Sequence, residues 1–154
     1  MLQAGSHAPE FSMFDSDMER GELSDYKGKN VVLYFYPKDD TPGCTIESID
    51  FSDLDADFAR LNTVVLGVSR DGCSSHAAFR DKHGLSVRLL ADEDGKVCEK
   101  YGVWQEKEKD GVKKMGILRS TFIIDTHGIL KHVLYGVDPR GHAAAVINLI
   151  KVME

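Results

Sequence analysis

Cys44 closes the segment Pro37-Lys-Asp-Asp-Thr-Pro-Gly-Cys44, which separates an apolar run from a stretch of helical periodicity. A cysteine at that point falls in the first turn of the helix. The unpaired N–H groups and the positive dipole end found there favour the thiolate over the thiol, whose ordinary pKa is about 8.5. Since the thiolate is the nucleophile, the spacing points to attack by the Cys44 sulfur. Thr41 can offer a hydroxyl to that thiolate or to an oxygen bound beside it, while Pro42 stiffens the loop and excludes water. Arg119, immediately before a later strand, is the candidate for a second positive group reaching the sulfur from the far side of the sheet.

Two further cysteines need separate readings. Cys73 follows the second buried strand at the start of its helix, so it should emerge at the same sheet edge as Cys44, and its thiol should be acidified there too. A bridge between the two would need Cα atoms within about 7 Å, which implies local unfolding. Cys98, in Gly95-Lys-Val-Cys-Glu-Lys-Tyr101, belongs to a short helix with core-facing apolar residues and is read as structural. No C-x-x-C occurs, which argues against a zinc ribbon and a thioredoxin-type dithiol. The histidines lack metal-ligand spacing; His76 and His83, seven apart, mark one ordinary helix face, and no metal is expected. A Cys-His hydrolase centred on Cys44 has no independent support.

The elements that must position these residues are legible in outline. Val31-Val-Leu-Tyr-Phe-Tyr36 is apolar without alternation, as in a central strand buried on both faces. Ile46, Ile49 or Asp50, Leu54, Phe58 and Leu61 then recur at helical steps, and Thr63-Val-Val-Leu-Gly-Val68 forms a second strand. Strand, helix, strand implies a right-handed unit with parallel strands, which gathers the following residues at one edge. A helix over residues 74–83 stopped by Gly84, a strand at Val87-Arg-Leu-Leu-Ala91 and a short helix from Lys96 to Tyr101 follow. The charged stretch Gln105 to Lys114 reads as a solvated loop. Ser120-Thr-Phe-Ile-Ile124 and Leu130-Lys-His-Val-Leu-Tyr135 read as a hairpin through Asp125-Thr-His-Gly128, and Ala143 to Val152 as the last helix.

A chain of 154 residues suits one domain, spanning 1–154, and one active site. Its net charge of −6 disfavours nucleic acid and anionic membranes. No apolar run approaches the ~20 residues of a membrane helix, and the N-terminus lacks the pattern of a signal peptide, so a soluble, cytoplasmic protein is expected. Three cysteines are too few for a disulfide framework.

Pro37-x-x-x-Thr41-x-x-Cys44 is the peroxiredoxin active-site motif, and the chain resembles that family. The longer Tyr34-Phe-Tyr-Pro-Lys-Asp-Asp-Thr-Pro-Gly-Cys-Thr-Ile-Glu47 is similar to its Q-type, or bacterioferritin-comigratory-protein, branch. Ala8-Pro-Glu-Phe11, Gly67-Val-Ser-Arg-Asp71, Leu90-Ala-Asp-Glu-Asp-Gly95, Tyr101-Gly-Val-Trp104 and Arg119-Ser-Thr-Phe-Ile-Ile-Asp125 continue the likeness in order. The resemblance implies an α/β thioredoxin fold with a central mixed β-sheet flanked by helices. It implies reduction of hydrogen peroxide or organic hydroperoxides through a sulfenic acid at Cys44, without metal or other cofactor. Thr41 and Arg119 would polarise the peroxide, Pro42 would shield the thiol, and Pro37 and Glu47 would support the site. Thioredoxin, glutaredoxin or a low-molecular-weight thiol would be the reductant, and the branch is often monomeric. The chain departs from the branch at both usual resolving positions, occupied here by Ile49 and Arg80. Recycling through Cys73 and recycling by an external thiol both stay open. A peroxide sensor or binding module without fast turnover is the rival reading; a disulfide oxidoreductase is opposed by the missing C-x-x-C.

Overall fold

The run Asn30–Phe35 is buried at every position, and its side chains divide between two cores. Val31, Leu33 and Phe35 enter one, whereas Val32, Tyr34 and the following Tyr36 enter the other. A strand apolar on both faces must sit inside a sheet covered on both sides.

The computed structural model, which describes residues 1–153, has that sheet. In chain order the elements are β1 (Ser12–Asp15), β2 (Arg20–Glu22), β3 (Asn30–Phe35), α1 (Pro42–Asp53), α2 (Asp55–Arg60), β4 (Thr63–Ser69), α3 (Cys73–His83) and β5 (Arg88–Ala91). They continue with α4 (Lys96–Lys100), β6 (Trp104–Lys109), β7 (Val112–Ile117), β8 (Ser120–Ile124), β9 (Leu130–Tyr135) and α5 (His142–Val152). Among the described residues seven strands form one sheet in the order β2-β1-β5-β4-β3-β8-β9. The pairs β3–β4 and β4–β5 are parallel, and β8 runs antiparallel to β3, so the sheet is mixed.

Phe51 of α1, Phe58 of α2, Phe79 of α3 and Val146, Ile147 and Ile150 of α5 cover one face. Phe11, Met13, Val97, Cys98, Tyr101, Val103 and Ile117 cover the other. Each fully buried phenylalanine contributes about 1.5–3 kcal/mol of transfer free energy. Because β3 and β4 are parallel neighbours, their C-terminal ends open at one edge, and both the Cys44 segment and the Cys73 segment start there.

Three expectations are corrected. The helix after the Pro37 segment is two helices, with Leu54 ending α1 and preceding α2. Its phase also differs: Ile46 is 41% exposed, while Cys44, Glu47, Ser48 and Phe51 face inward. Residues 105–114 are not a loop, because Trp104–Lys109 and Val112–Ile117 pair as an antiparallel hairpin. Asp110 and Gly111 both take positive φ, 53° and 76°, the conformation of a tight primed turn whose twist suits a hairpin. His76 does not lie on an ordinary face: its side chain is fully buried.

Candidate active site

The first turn of α1 has no side-chain cap on its backbone donors. Thr41 is the N-cap in an extended conformation, and Pro42 occupies the first helical turn, where its missing N–H costs nothing. The Thr45 N–H donates to the Thr41 carbonyl at 2.9 Å, the first bond of the helix. The Thr41 hydroxyl makes no cap; it donates instead to the Lys38 carbonyl at 2.8 Å. The backbone donors of this uncapped turn and the positive helix end therefore lie next to Cys44 in the chain.

Cys44 is fully buried. Arg119, in the short connection between β7 and β8, reaches it with Nη2 at 3.4 Å from Sγ. Its other terminal nitrogen, Nη1, lies 2.8 Å from Oε1 of Glu47, one turn further along α1. Arg119 is where it is because β8 pairs with β3 so that Ser120 stands opposite Phe35, bringing the start of β8 to the edge from which α1 departs. Gly43 completes the fit: a methyl group there would stand 3.1 Å from Arg119 Nη2 and 3.3 Å from Pro139 Cγ.

Glu47 is fully buried, and among the described residues its Oε2 has no hydrogen-bond partner. Burial pushes its carboxyl up to about 7, against the opposing pull of Arg119. Burial prevails because Arg119 compensates only one of the two oxygens. Arg119 itself stays cationic: the nearby Glu47 and Cys44 raise it despite the cost of burial.

Sequence reasoning missed two neighbours. Lys107 of β6 is half-buried, and burial together with the adjacent Arg119 holds its ammonium below its usual range while Cys44 pulls the other way. Its hairpin also carries Trp104, with the Arg70 guanidinium 4.4 Å above the ring, and Met115; with Pro37, these line a cleft of about 400 Å³. The second is His142, whose Nε2 lies 2.7 Å from Thr121 Oγ1 and which burial and Arg119 push down to about 4. That imidazole is neutral and engaged elsewhere. Among the described residues the one side chain hydrogen-bonded to Cys44 is Arg119, so a Cys-His pair finds no support.

The remaining cysteines separate. Cys98 is fully buried in α4, and burial with the neighbouring Asp92 pushes its thiol far up, in keeping with a structural role. Cys73 begins α3 and is half-buried in an open cleft of about 810 Å³ with Phe14, Met18, Arg20 and Glu93. Its expected acidification is corrected: burial, then the Glu93 carboxylate, raises the thiol. The helix N-terminus is outweighed by local desolvation and a like charge. Arg80, at one empty resolving position, pairs with Asp17 and Asp81 on the surface. No helix of the described residues is long and apolar enough to cross a membrane.

An uncapped helix start, an inward cysteine and a cation aimed at its sulfur make a site suited to attack on a polarised oxygen. Residues 4–133 match the AhpC/TSA family. Peroxiredoxin Bcp of Bacillus subtilis is 43% identical over 153 residues, covering 99% of this chain and 98% of the relative. The crystal structure of a cysteine-to-serine mutant of Xylella fastidiosa PrxQ superposes with a TM-score of 0.94 at 36% identity, over 99% of this chain and 98% of that one. The Bacterioferritin Comigratory Protein of Xanthomonas campestris, described for its alkyl peroxide reduction activity, superposes with a TM-score of 0.88 at 36% identity. That match covers 93% of this chain and 91% of the other.

Proposed function

We propose, for a chain that belongs to the AhpC/TSA family as a Q-type peroxiredoxin of thioredoxin fold and is a thiol-dependent peroxidase, that Cys44 is the sulfur that takes the peroxide oxygen. The observation that carries this assignment is the 3.4 Å approach of Arg119 to a sulfur in the uncapped first turn of α1. The thiolate attacks one oxygen of the O–O bond; an S–O bond forms, the O–O bond breaks, and the departing oxygen takes a proton and leaves as water or an alcohol. Negative charge grows on that departing oxygen, so donors already in place lower the barrier. Arg119 and the N–H groups of the first turn supply them, and the Thr41 hydroxyl joins them by turning from the Lys38 carbonyl to the bound peroxide. Pro42 and Pro37 keep the loop stiff, and Glu47 holds Arg119.

The sulfenic acid is returned to thiol by external thiols: the first displaces water to give a mixed disulfide, and the second attacks the reductant's sulfur in it, forming a reductant disulfide and releasing Cys44 as thiolate. Thioredoxin, glutaredoxin or a low-molecular-weight thiol fills this role, and the chain works as a cytoplasmic monomer. The raised Cys73 thiol favours the external route. A second reading, internal resolution by Cys73, is favoured by the shared sheet edge of β3 and β4.

Peroxide consumption with excess dithiothreitol tests the assignment. Wild-type protein should turn over many equivalents and Cys44→Ser none. Wild-type turnover in Cys44→Ser would overturn the role of Cys44, and consumption that stops after one equivalent would mark a sensor instead.

A further inference from the structure

Asp39 lies in the loop that delivers the chain to Cys44, and it is the hub of a buried polar network that the peroxide chemistry does not use. Its Oδ1 accepts from the Tyr36 hydroxyl at 2.6 Å. Its Oδ2 accepts from the Ser75 hydroxyl at 2.8 Å and lies 2.7 Å from His76 Nδ1. His76 Nε2 lies 3.0 Å from the Leu90 carbonyl, and the side chains of His76 and Asp39 are 0% and 4% exposed. The Asp39 N–H adds a bond to Asp71 Oδ2 at 2.8 Å.

A carbonyl oxygen only accepts, so Nε2 carries a hydrogen. One further hydrogen lies in the Nδ1–Oδ2 contact. Whichever partner holds it, every polar atom of the pair is satisfied and the pair stays overall neutral, which is the condition for leaving such groups in a core. The result is a tether: through one imidazole, the loop 37–41 is bound to α3 and to β5.

We infer that Asp39 and His76 are positioning residues for Cys44, their contact holding the preceding loop so that the first turn of α1 stays closed around the sulfur in the peroxide-reactive arrangement. Closed Cys44 is fully buried, so loosening this contact should expose its sulfur to alkylating reagents. The inference rests on the assignment of Cys44 as the reacting sulfur.

The test compares two rates at Cys44. One is single-turnover oxidation by hydrogen peroxide. The other is alkylation by iodoacetamide, which needs an accessible sulfur but no aligned donors, followed site by site by mass spectrometry. In Asp39→Ala, peroxide oxidation should fall about tenfold or more, since small misplacements of reacting groups cost that much, while alkylation of Cys44 rises and that of core Cys98 stays at its wild-type rate. His76→Gln can serve only one of the two acceptors and should show the same opposed changes where Asp39→Ala folds poorly. Asp39→Asn, whose amide can donate to a neutral His76 and accept from Tyr36, should restore peroxide oxidation to within about threefold of wild type.

Unchanged Cys44 rates in both disrupting variants would overturn the inference. So would alkylation of Cys44 and Cys98 rising together, the mark of general loss of fold. A wild-type Cys44 inert to peroxide would instead overturn the assignment beneath it.

Discussion

Arg119 grips Glu47 with one nitrogen and Cys44 with the other, Nη1 at 2.8 Å from Oε1 and Nη2 at 3.4 Å from Sγ. One cation therefore serves a buried carboxyl and the Cys44 sulfur on successive turns of α1. The carboxyl fixes where the guanidinium sits, and the planar fork lets a single side chain meet both.

Arg119→Ala should slow oxidation of Cys44 by hydrogen peroxide by about 10²–10³-fold, the usual cost of losing one transition-state donor. It should also destabilise the fold, because Glu47 loses its partner. Adding Glu47→Gln should recover stability without recovering the rate. Stopped-flow oxidation and urea midpoints separate the two effects. A wild-type rate in Arg119→Ala would contradict this account of the site.

Folded Glu47 keeps its proton up to about pH 7, whereas its ordinary value is 4.5. Between these values the folded chain holds more protons than the unfolded one, so the contribution of Glu47 to stability is complete below 4.5 and is lost as pH rises through about 7. Glu47→Gln should accordingly gain stability relative to wild type as pH is raised from about 5 to about 8. Urea midpoints across that range provide the measurement, and parallel curves for the two proteins would refute the prediction.

Cys73 is held in its thiol form by burial and by Glu93. After one equivalent of hydrogen peroxide, non-reducing peptide mapping with a sulfenic-acid trap should find the label on Cys44 and no Cys44–Cys73 bridge. Cys73→Ser should retain turnover with dithiothreitol. Glu93→Gln should speed alkylation of Cys73 by about threefold by removing a like charge. A Cys44–Cys73 bridge would replace external resolution with the internal route.

Gly67 of β4 is required by close packing. A methyl group there would lie 2.7 Å from the ring end of Tyr34 and 2.9 Å from Leu89 Cδ2. Tyr34 cannot give way freely, since its hydroxyl is hydrogen-bonded to Ser48 Oγ of α1 at 2.9 Å. Gly67→Ala should therefore cost about 1–3 kcal/mol in urea denaturation, the range for overpacking a core. An unchanged midpoint would show that the Tyr34–Ser48 pair is softer than its burial suggests.

The elements misread from sequence share one cause. Periodicity assigns apolar residues to the core and polar ones to water, and at this sheet edge the rule inverts: Glu47 and Ser48 turn inward while Ile46 faces out. Glu47 meets Arg119 there and Ser48 meets the Tyr34 hydroxyl, so the inward face of α1 is polar where it borders Cys44. The hairpin β6–β7 was hidden by its charges, although Asp110-Gly111 is a recognised turn signal between runs that can pair. His76 read as part of an ordinary helix face because its partner, Asp39, is 37 residues away in sequence.

The residues alone determined the buried strands at 31–36 and 63–68, the α/β order, the place of Cys44 at a helix start and the family resemblance. Those follow from local chemistry: side-chain polarity over short windows, turn residues and a motif of contiguous letters. Only the tertiary structure decided that Arg119 reaches Cys44 from 75 positions away and that Glu47 anchors it. It alone decided that Cys73 is discouraged rather than activated and that Asp39 and His76 tie the Cys44 loop down. Charge, burial and hydrogen bonding act through space, and their sign at a given atom depends on which distant segments the sheet brings alongside it.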